Sequence, residues 1–198
     1  MQIESVRQAI DQIATTEELF ALEQREIRGV SYTTFKNGPK TLRDMLEFCL
    51  PQGEADFLVF EDERYSFADV YKKTIVLANA LVREHGVKPG DRVALAMRNA
   101  PEYPIIFMAL ACIGAVPIFV NSFWTTEELE YCFEDCEAKL AFVDEPRANN
   151  MAPFADRLGI HLVVVRTAAM EKIKEFWDLI DQGSDDGMPE VAIDPDDD

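Results

Sequence analysis

Few residues in this sequence have types and spacings suited to chemistry. Two histidines, His85 and His161, and four cysteines, Cys49, Cys112, Cys132 and Cys136, are its main candidates for nucleophiles or metal ligands. No Gly-x-Ser-x-Gly occurs, and neither histidine stands beside a serine or cysteine in a nucleophile motif. His85 falls where a helix should end, favourable for an imidazolium, and His161 where a strand should begin, so both read as structural. Cys132 and Cys136 are one helical turn apart, a spacing open to a metal. They share their stripe with Leu129 and Phe133, however, and core packing is the better expectation. The nine glycines are scattered as turn and cap residues, with no Gly-x-Gly-x-x-Gly and no Gly-x4-Gly-Lys-Ser/Thr. A phosphate cradle needs consecutive backbone donors with no side chain in the way, and no stretch supplies them.

A positional argument singles out Arg98, Asn99 and Asn121. Each follows an apolar run that reads as a buried strand, and ligands of open parallel sheets gather beyond the strands' carboxyl ends. Arg98 and Asn99 could meet an anionic or polar ligand there. The competing reading makes Asn99 and Asp144 helix caps and Arg98 their solvated neighbour, and the residue types favour it.

The elements that must position these residues follow from periodicity. Val6, Ile10 and Ile13 mark an amphipathic helix, and Thr15-x-x-Glu18 offers a capping box for a second one carrying Leu19, Phe20 and Leu22. Thr41-x-x-Asp44 starts another helix that stops before Pro51, and 57–60 with 64–66 suggest a small hairpin. From Ser66 the pattern is regular. Helices capped by Ser66 and Thr125, a helix opening at Asn99 and Pro101, and one entered through Asp144 alternate with short apolar runs. Those runs are Arg92–Met97, Val116–Val120, Leu140–Val143 and His161–Val165, the last followed by a helix through Ile173, Phe176, Trp177 and Ile180. Runs apolar on both faces and joined by helices predict a doubly wound, mostly parallel α/β sheet. The expected organisation is a helical or irregular lead-in over 1–56, an α/β subdomain over 57–181, and an acidic linker over 182–198.

Composition excludes several functions. Nineteen basic against 37 acidic residues leave a net charge of −18, which argues against nucleic acid. Nine of those acids fall between Asp178 and Asp198, where no Lys or Arg occurs. The uncharged stretch from Tyr103 to Thr126 is long enough to raise a membrane span, but Gly114 and Pro117 break it. A buried helix followed by a buried strand is expected instead. The first residues lack a secretory pattern and the cysteines lack disulfide spacing, so cytoplasm is the expected compartment.

The order of segments resembles the amino-terminal region of the AMP-forming acyl-CoA synthetases, which belong to the adenylate-forming ligases. The resemblance runs through Val87-Lys88-Pro89-Gly90-Asp91-Arg92-Val93-Ala94-Leu95, Arg98-Asn99-Ala100-Pro101-Glu102-Tyr103 and Ala109-Leu110-Ala111-Cys112-Ile113-Gly114-Ala115-Val116-Pro117. It continues through 121–129 and 138–144, and Arg28-Gly29-Val30 with 35–39 is similar to the lead-in of fatty-acid ligases. The resemblance implies a parent enzyme that joins a carboxylic acid, with a fatty acid the first candidate, to coenzyme A. It would do so through an acyl-adenylate, consuming ATP with magnesium and releasing pyrophosphate. The family's Ser/Thr/Gly-rich loop ending in Pro-Lys-Gly is absent from the 198 residues, so no catalytic, cofactor-binding or metal-binding residue is carried over. The chain alone is then expected to be inactive and to bind none of these cofactors. Its partner would be the remainder of the ligase, and self-association through exposed apolar surface is expected. Two other readings stay open on the residues alone: a non-enzymatic α/β docking module, and a flavodoxin-like domain holding a small ligand.

Overall fold

A computed structural model describes residues 5–166 and 187–197. The order is α1 (Val6–Thr16), β1 (Leu22–Ile27), β2 (Val30–Phe35), α2 (Leu42–Phe48), β3 (Asp56–Phe60), β4 (Glu63–Ser66) and α3 (Phe67–Arg83). There follow β5 (Arg92–Ala96), α4 (Glu102–Cys112), β6 (Val116–Phe119), α5 (Thr126–Cys136), β7 (Leu140–Val143), α6 (Glu145–Met151), α7 (Ala155–Leu158) and β8 (His161–Val164). The expected helix through Ile173 and Ile180, and the Gln182–Asp186 part of the expected linker, lie outside the described residues.

The centre is a four-stranded parallel sheet in the order β6-β5-β7-β8. Its side chains alternate between two cores. Val93 and Leu95 of β5 enter a cluster with α3 and α4, whereas Ala94 and Ala96 enter a second one built with Leu129, Phe133, Met151 and Phe154. Both faces are therefore covered by helices, as the apolar runs require. Pro117 is accommodated because β6 is at the end of this strand order, where its missing N–H costs no ladder bond.

Capping residues start the helices where their spacing predicts. Thr41 with Asp44, Ser66 with Asp69, and Thr125 with Glu128 each form a reciprocal capping box. The Thr15 box does not form. Thr15 lies inside α1 and its hydroxyl donates back to the carbonyls of Asp11 and Gln12. Glu18–Phe20 is a single 3-10 turn, and the chain then enters the β1–β2 hairpin, an element the helical reading of the lead-in misses. β1 alternates between exposed and half-buried positions, but Glu23 and Arg25 fill two of the half-buried ones and β2 is almost all exposed, so apolar periodicity carries little signal. At α4 the N-cap is Pro101 rather than Asn99, and no side chain caps that end.

Residues 187–197, read from sequence as part of a polar linker, lie back across the body. Asn79 Nδ2 donates to the Gly187 carbonyl at 2.8 Å and Arg43 to that of Pro189 at 3.0 Å. Arg25 pairs with the Asp196 carboxylate at 2.9 Å, and Met188 and Val191 pack on the α3–α4 core. Ile193 reaches Gly114, whose φ of +70° closes α4. A Cβ at Gly114 would stand 3.3 Å from Pro89 Cβ and 3.6 Å from Ile193 Cγ1, so Gly114→Ala meets both left-handed strain and crowding. It should lower the unfolding free energy by about 1 kcal/mol or more, read from urea titration.

Asp69 supplies a pH-dependent contribution. Hydrogen bonds from the Ser66 backbone N–H and then from its hydroxyl hold the Asp69 carboxyl below the usual aspartate value. A depressed folded-state pKa contributes stability above the unfolded value, and that contribution is lost as pH falls through the lowered one. Asp69→Asn should therefore cost roughly 0.3–1 kcal/mol at neutral pH. Stability curves of parent and variant should begin to approach each other as pH falls below about 4 and meet only below the lowered Asp69 value.

Candidate functional site

The chain runs from β5 to β6 on one side and then crosses to β7 and β8 on the other. The direction reverses between the adjacent strands β5 and β7, which makes their carboxyl ends the topological switch point. Asp144, directly after β7, ties that point together. Its Oδ2 accepts from the Arg98 backbone N–H at 3.0 Å, and its Oδ1 from the Arg147 N–H at 3.3 Å. Asp144 is thus the N-cap of α6, as expected, and also a bridge to the end of β5. The Arg147 guanidinium pairs with the same carboxylate, and the two side chains are only 8% and 14% exposed.

Of the three residues singled out from sequence, Arg98 and Asn121 converge on Phe123. The Arg98 guanidinium lies 5.3 Å from the Phe123 ring centroid, and Asn121 Oδ1 accepts from the Phe123 N–H at 3.0 Å. Asn121 therefore shapes the turn after β6, and Arg98 is stacked on a ring that is 79% exposed. Asn99 is exposed and is not the cap of α4. Next to this corner Phe119 stands 6.1 Å from Tyr103 and 5.7 Å from Phe107, so the end of β6 presents an aromatic row.

A second polar cluster was not legible in the sequence. Arg166, just after β8, donates from Nε to Glu102 Oε2 at 2.7 Å and from Nη2 to both oxygens of Glu63 at 2.8 and 2.9 Å. Glu102, in the first turn of α4, is fully buried, and its Oε1 has no hydrogen-bond partner among the described residues. Tyr65 donates to Glu63 at 2.8 Å. Burial and that bond push the Tyr65 phenol up to about 12. Burial would raise Glu63, but the bonds from Tyr65 and Arg166 outweigh it and leave this carboxyl low. The sequence marks this helix opening only through Asn99 and Pro101. That Glu102 is buried against an arginine 64 residues on is a tertiary fact.

Cys112 and Cys132 are poor nucleophiles. Burial pushes Cys112 up to about 12, and burial with the neighbouring Cys136 thiol pushes Cys132 up to about 11. Cys132 and Cys136 pack on the second core, as their stripe predicts. Among the described residues no group of three metal-ligating side chains is found. A largely apolar cavity of about 200 Å³ lies between α2, α3 and α4, lined by Leu42, Met45, Leu46, Phe67, Tyr71 and Phe107 among others. It contains none of Arg98, Asn99 and Asn121. At the switch point the chemistry on offer is an acceptor already saturated by its own chain, one stacked cation and an aromatic row. Such a surface suits contact with another protein segment or a flat ligand better than a triphosphate.

The Asp144–Arg147 pair makes this corner sensitive to single substitutions. Asp144→Ala leaves the Arg147 charge buried without its partner and should cost about 3–5 kcal/mol. Asp144→Ala combined with Arg147→Leu should recover much of that loss in denaturant titration. Simple additivity of the two changes would show that the pair is not coupled.

Residues 47–197 match the family model described as AMP-binding enzyme. The chain is 26% identical over 170 residues to long-chain fatty acid transport protein 6 of Mus musculus, covering 85% of this chain and 26% of that protein. It is 33% identical over 145 residues to 4-coumarate–CoA ligase 2 of Oryza sativa subsp. japonica, covering 67% and 25%. Among solved structures, a long-chain-fatty-acid-CoA ligase (FadD1) from Archaeoglobus fulgidus superposes with a TM-score of 0.67 at 25% identity, covering 78% of this chain and 32% of that one. The anthranilate CoA ligase AuaEII, in complex with anthranoyl-AMP, shares the fold with a TM-score of 0.68 at 24% identity, covering 77% and 28%. The chain thus spans about a quarter of the length of these curated relatives. It belongs to the AMP-binding enzymes, the adenylate-forming ligase superfamily, and corresponds to their amino-terminal region.

Proposed function

We propose that the 198 residues are the amino-terminal framework of an ATP-dependent acyl-CoA ligase. The intact enzyme converts a carboxylic acid, ATP and CoA into acyl-CoA, AMP and pyrophosphate, with a fatty acid the leading candidate substrate. The observation that carries this reading is the family match over residues 47–197, joined to a switch point built by a parallel sheet. Fatty acid transport proteins and a long-chain-fatty-acid-CoA ligase among the similar proteins favour a fatty acid, whereas 4-coumarate–CoA ligase keeps aromatic acids in contention.

In this reading the chain alone does not catalyse. Acyl-adenylate formation concentrates negative charge on phosphates, which must be met by preorganised donors or cations. The sequence holds no Pro-Lys-Gly loop, its net charge is −18, and the exposed Arg98 at the end of β5 is stacked on Phe123. The residues present do not fit a magnesium–triphosphate, so ATP, Mg and CoA are assigned to the intact enzyme. The proposed partner is the rest of the ligase, docked on the aromatic end of β6, where Phe119 and Phe123 are 57% and 79% exposed. Among the described residues no helix is long and apolar enough to cross a membrane. Four free cysteines suit a reducing compartment, and cytoplasm is the proposed one.

Pyrophosphate release tests this directly. The purified chain with ATP, CoA and acids from acetate to palmitate should release none above background, and calorimetry should detect no micromolar ATP binding. Joined in one reading frame to the missing part of the ligase, it should give acid-dependent pyrophosphate release, whose dependence on chain length identifies the substrate. Acyl-adenylate formed by the 198 residues alone would overturn the proposal.

A further inference from the structure

Three helices turn apolar stripes toward one space. Leu42, Met45 and Leu46 share a face of α2, Phe67 and Tyr71 are one turn apart on α3, and Phe107 and Ala111 are one turn apart on α4. The cavity of about 200 Å³ between them has no charged residue in its lining and one hydroxyl, that of Tyr71. Phe57 of β3 adds a further wall, stacked on Phe67 with ring centroids 4.5 Å apart and planes inclined at 22°. Capping boxes fix the starts of α2 and α3, so two of the helical walls are set before anything binds. Leu42, Met45 and Leu50 are exposed and form the rim.

We propose that this cavity binds the alkyl chain of an uncharged amphiphile, with a primary alcohol of about eight carbons the representative ligand. Size sets the chain length. An apolar cavity of ~150 Å³ holds the six carbons of benzene, so one of about 200 Å³ holds about eight. The lining sets the polarity. An enclosed water needs about two to four polar partners, which one hydroxyl and the Cys49 thiol do not supply. A charged group would lose its hydration there without gaining a counter-ion, whereas a hydrocarbon gains by leaving water.

The head group follows from the neighbouring cleft. Leu42, Met45 and Ala111 also line a second space of about 510 Å³, so the two adjoin. Lys40, Asp194 and Asp197 make that cleft polar. Lys40 Nζ donates to the carbonyls of Lys36 and Phe35 at 2.9 and 3.4 Å, which accounts for two of its three N–H donors. Two carboxylates against one ammonium disfavour a carboxylate head, while a hydroxyl can donate to an aspartate and accept from the lysine. A bound chain would join α2 to α3 and α4, and so stabilise the lead-in on the body. The proposal does not depend on the ligase reading, since neither ATP nor acyl transfer enters it.

Methionine methyl resonances of the untagged 198-residue chain test the site. Met45 and Met108 line the cavity, and Met97 and Met151 do not. Titration with 1-octanol should shift Met45 and Met108 together and saturably, with a dissociation constant on the order of 0.1–1 mM, and leave Met97 and Met151 in place. From butanol to octanol the affinity should rise about fourfold per methylene, then level off once the cavity is full. Octanoate should bind about tenfold more weakly than octanol. Ala111→Leu puts a larger side chain in the cavity, and Met45→Lys puts a charge at its exposed rim without disturbing the core. Each should weaken octanol binding by on the order of tenfold or more. The proposal is overturned if octanoate binds as tightly as octanol, or if affinity climbs without a break through decanol. It is equally overturned if Met97 and Met151 shift at the same concentrations as the lining pair, or if neither substitution weakens binding.

Discussion

Burial of β5 on both faces is the constraint from which the rest of this structure follows. Alternate side chains of the strand must leave water in opposite directions, and they do so with unequal volumes. Val93 and Leu95 fill the side roofed by α3 and α4, while Ala94 and Ala96 leave room on the other for Phe133 and Phe154, both almost completely buried. A strand covered twice cannot be joined to its neighbours by hairpins, because each connection must carry a helix over one face. Parallel pairing to β6 and β7 then places every strand's carboxyl end on the same side. The switch point between β5 and β7 is a consequence of that burial.

Polar residues were then needed to hold what burial had arranged. The main-chain ends of β5 and β7 point toward the same crevice, and Asp144 satisfies a donor from each side of it while receiving the Arg147 guanidinium. Charge buried this deeply is costly unless it is paired, so the pair constrains the corner as strongly as an apolar contact would. Arg166 acts in the same manner farther along, joining the β3–β4 hairpin through Glu63 to the start of α4 through Glu102. Both devices are made by residues distant in sequence or hidden inside a helix turn. Neither resembles a catalytic constellation. They read as the fittings of a framework, which is the part this chain has in the proposed ligase.

The two ends of the sheet differ in character. At the carboxyl end, exposed Phe119 and Phe123 and the stacked Arg98 form a surface suited to receiving another segment. At the amino end, the His85 and His161 rings pack together where α3 and β8 come together. The segment 187–197 crosses the body between the β1–β2 hairpin and α4, fastened by Arg25, Arg28, Arg43 and Asn79, so its acidity is partly neutralised within the chain. A run dense in aspartate reads as a solvated linker because charge favours water. Four distant side chains, two of them on Asp196, supply enough to hold it down.

Local physics was legible without coordinates wherever one residue type has one strong preference. Ser66 with Asp69 and Thr125 with Glu128 announced their helices because a hydroxyl and a carboxylate three residues apart satisfy orphan amides. The apolar runs at β5, β7 and β8 announced a covered parallel sheet for the same kind of reason, and the ordered segments from Val87 to Asp144 pointed to the ligase family. Thr15 misled because the identical pattern can lie inside a helix, where the hydroxyl bonds backward instead. The β1–β2 hairpin is not legible because the half-buried face of β1 carries Glu23 and Arg25 and β2 is exposed at all but one position. What only the tertiary structure decided was which distant side chains meet: Asp144 with the end of β5, Glu102 with Arg166, His85 with His161. Such pairings depend on strand order and crossover path, which arise from the sum of many burial energies, and no single stretch of sequence encodes them.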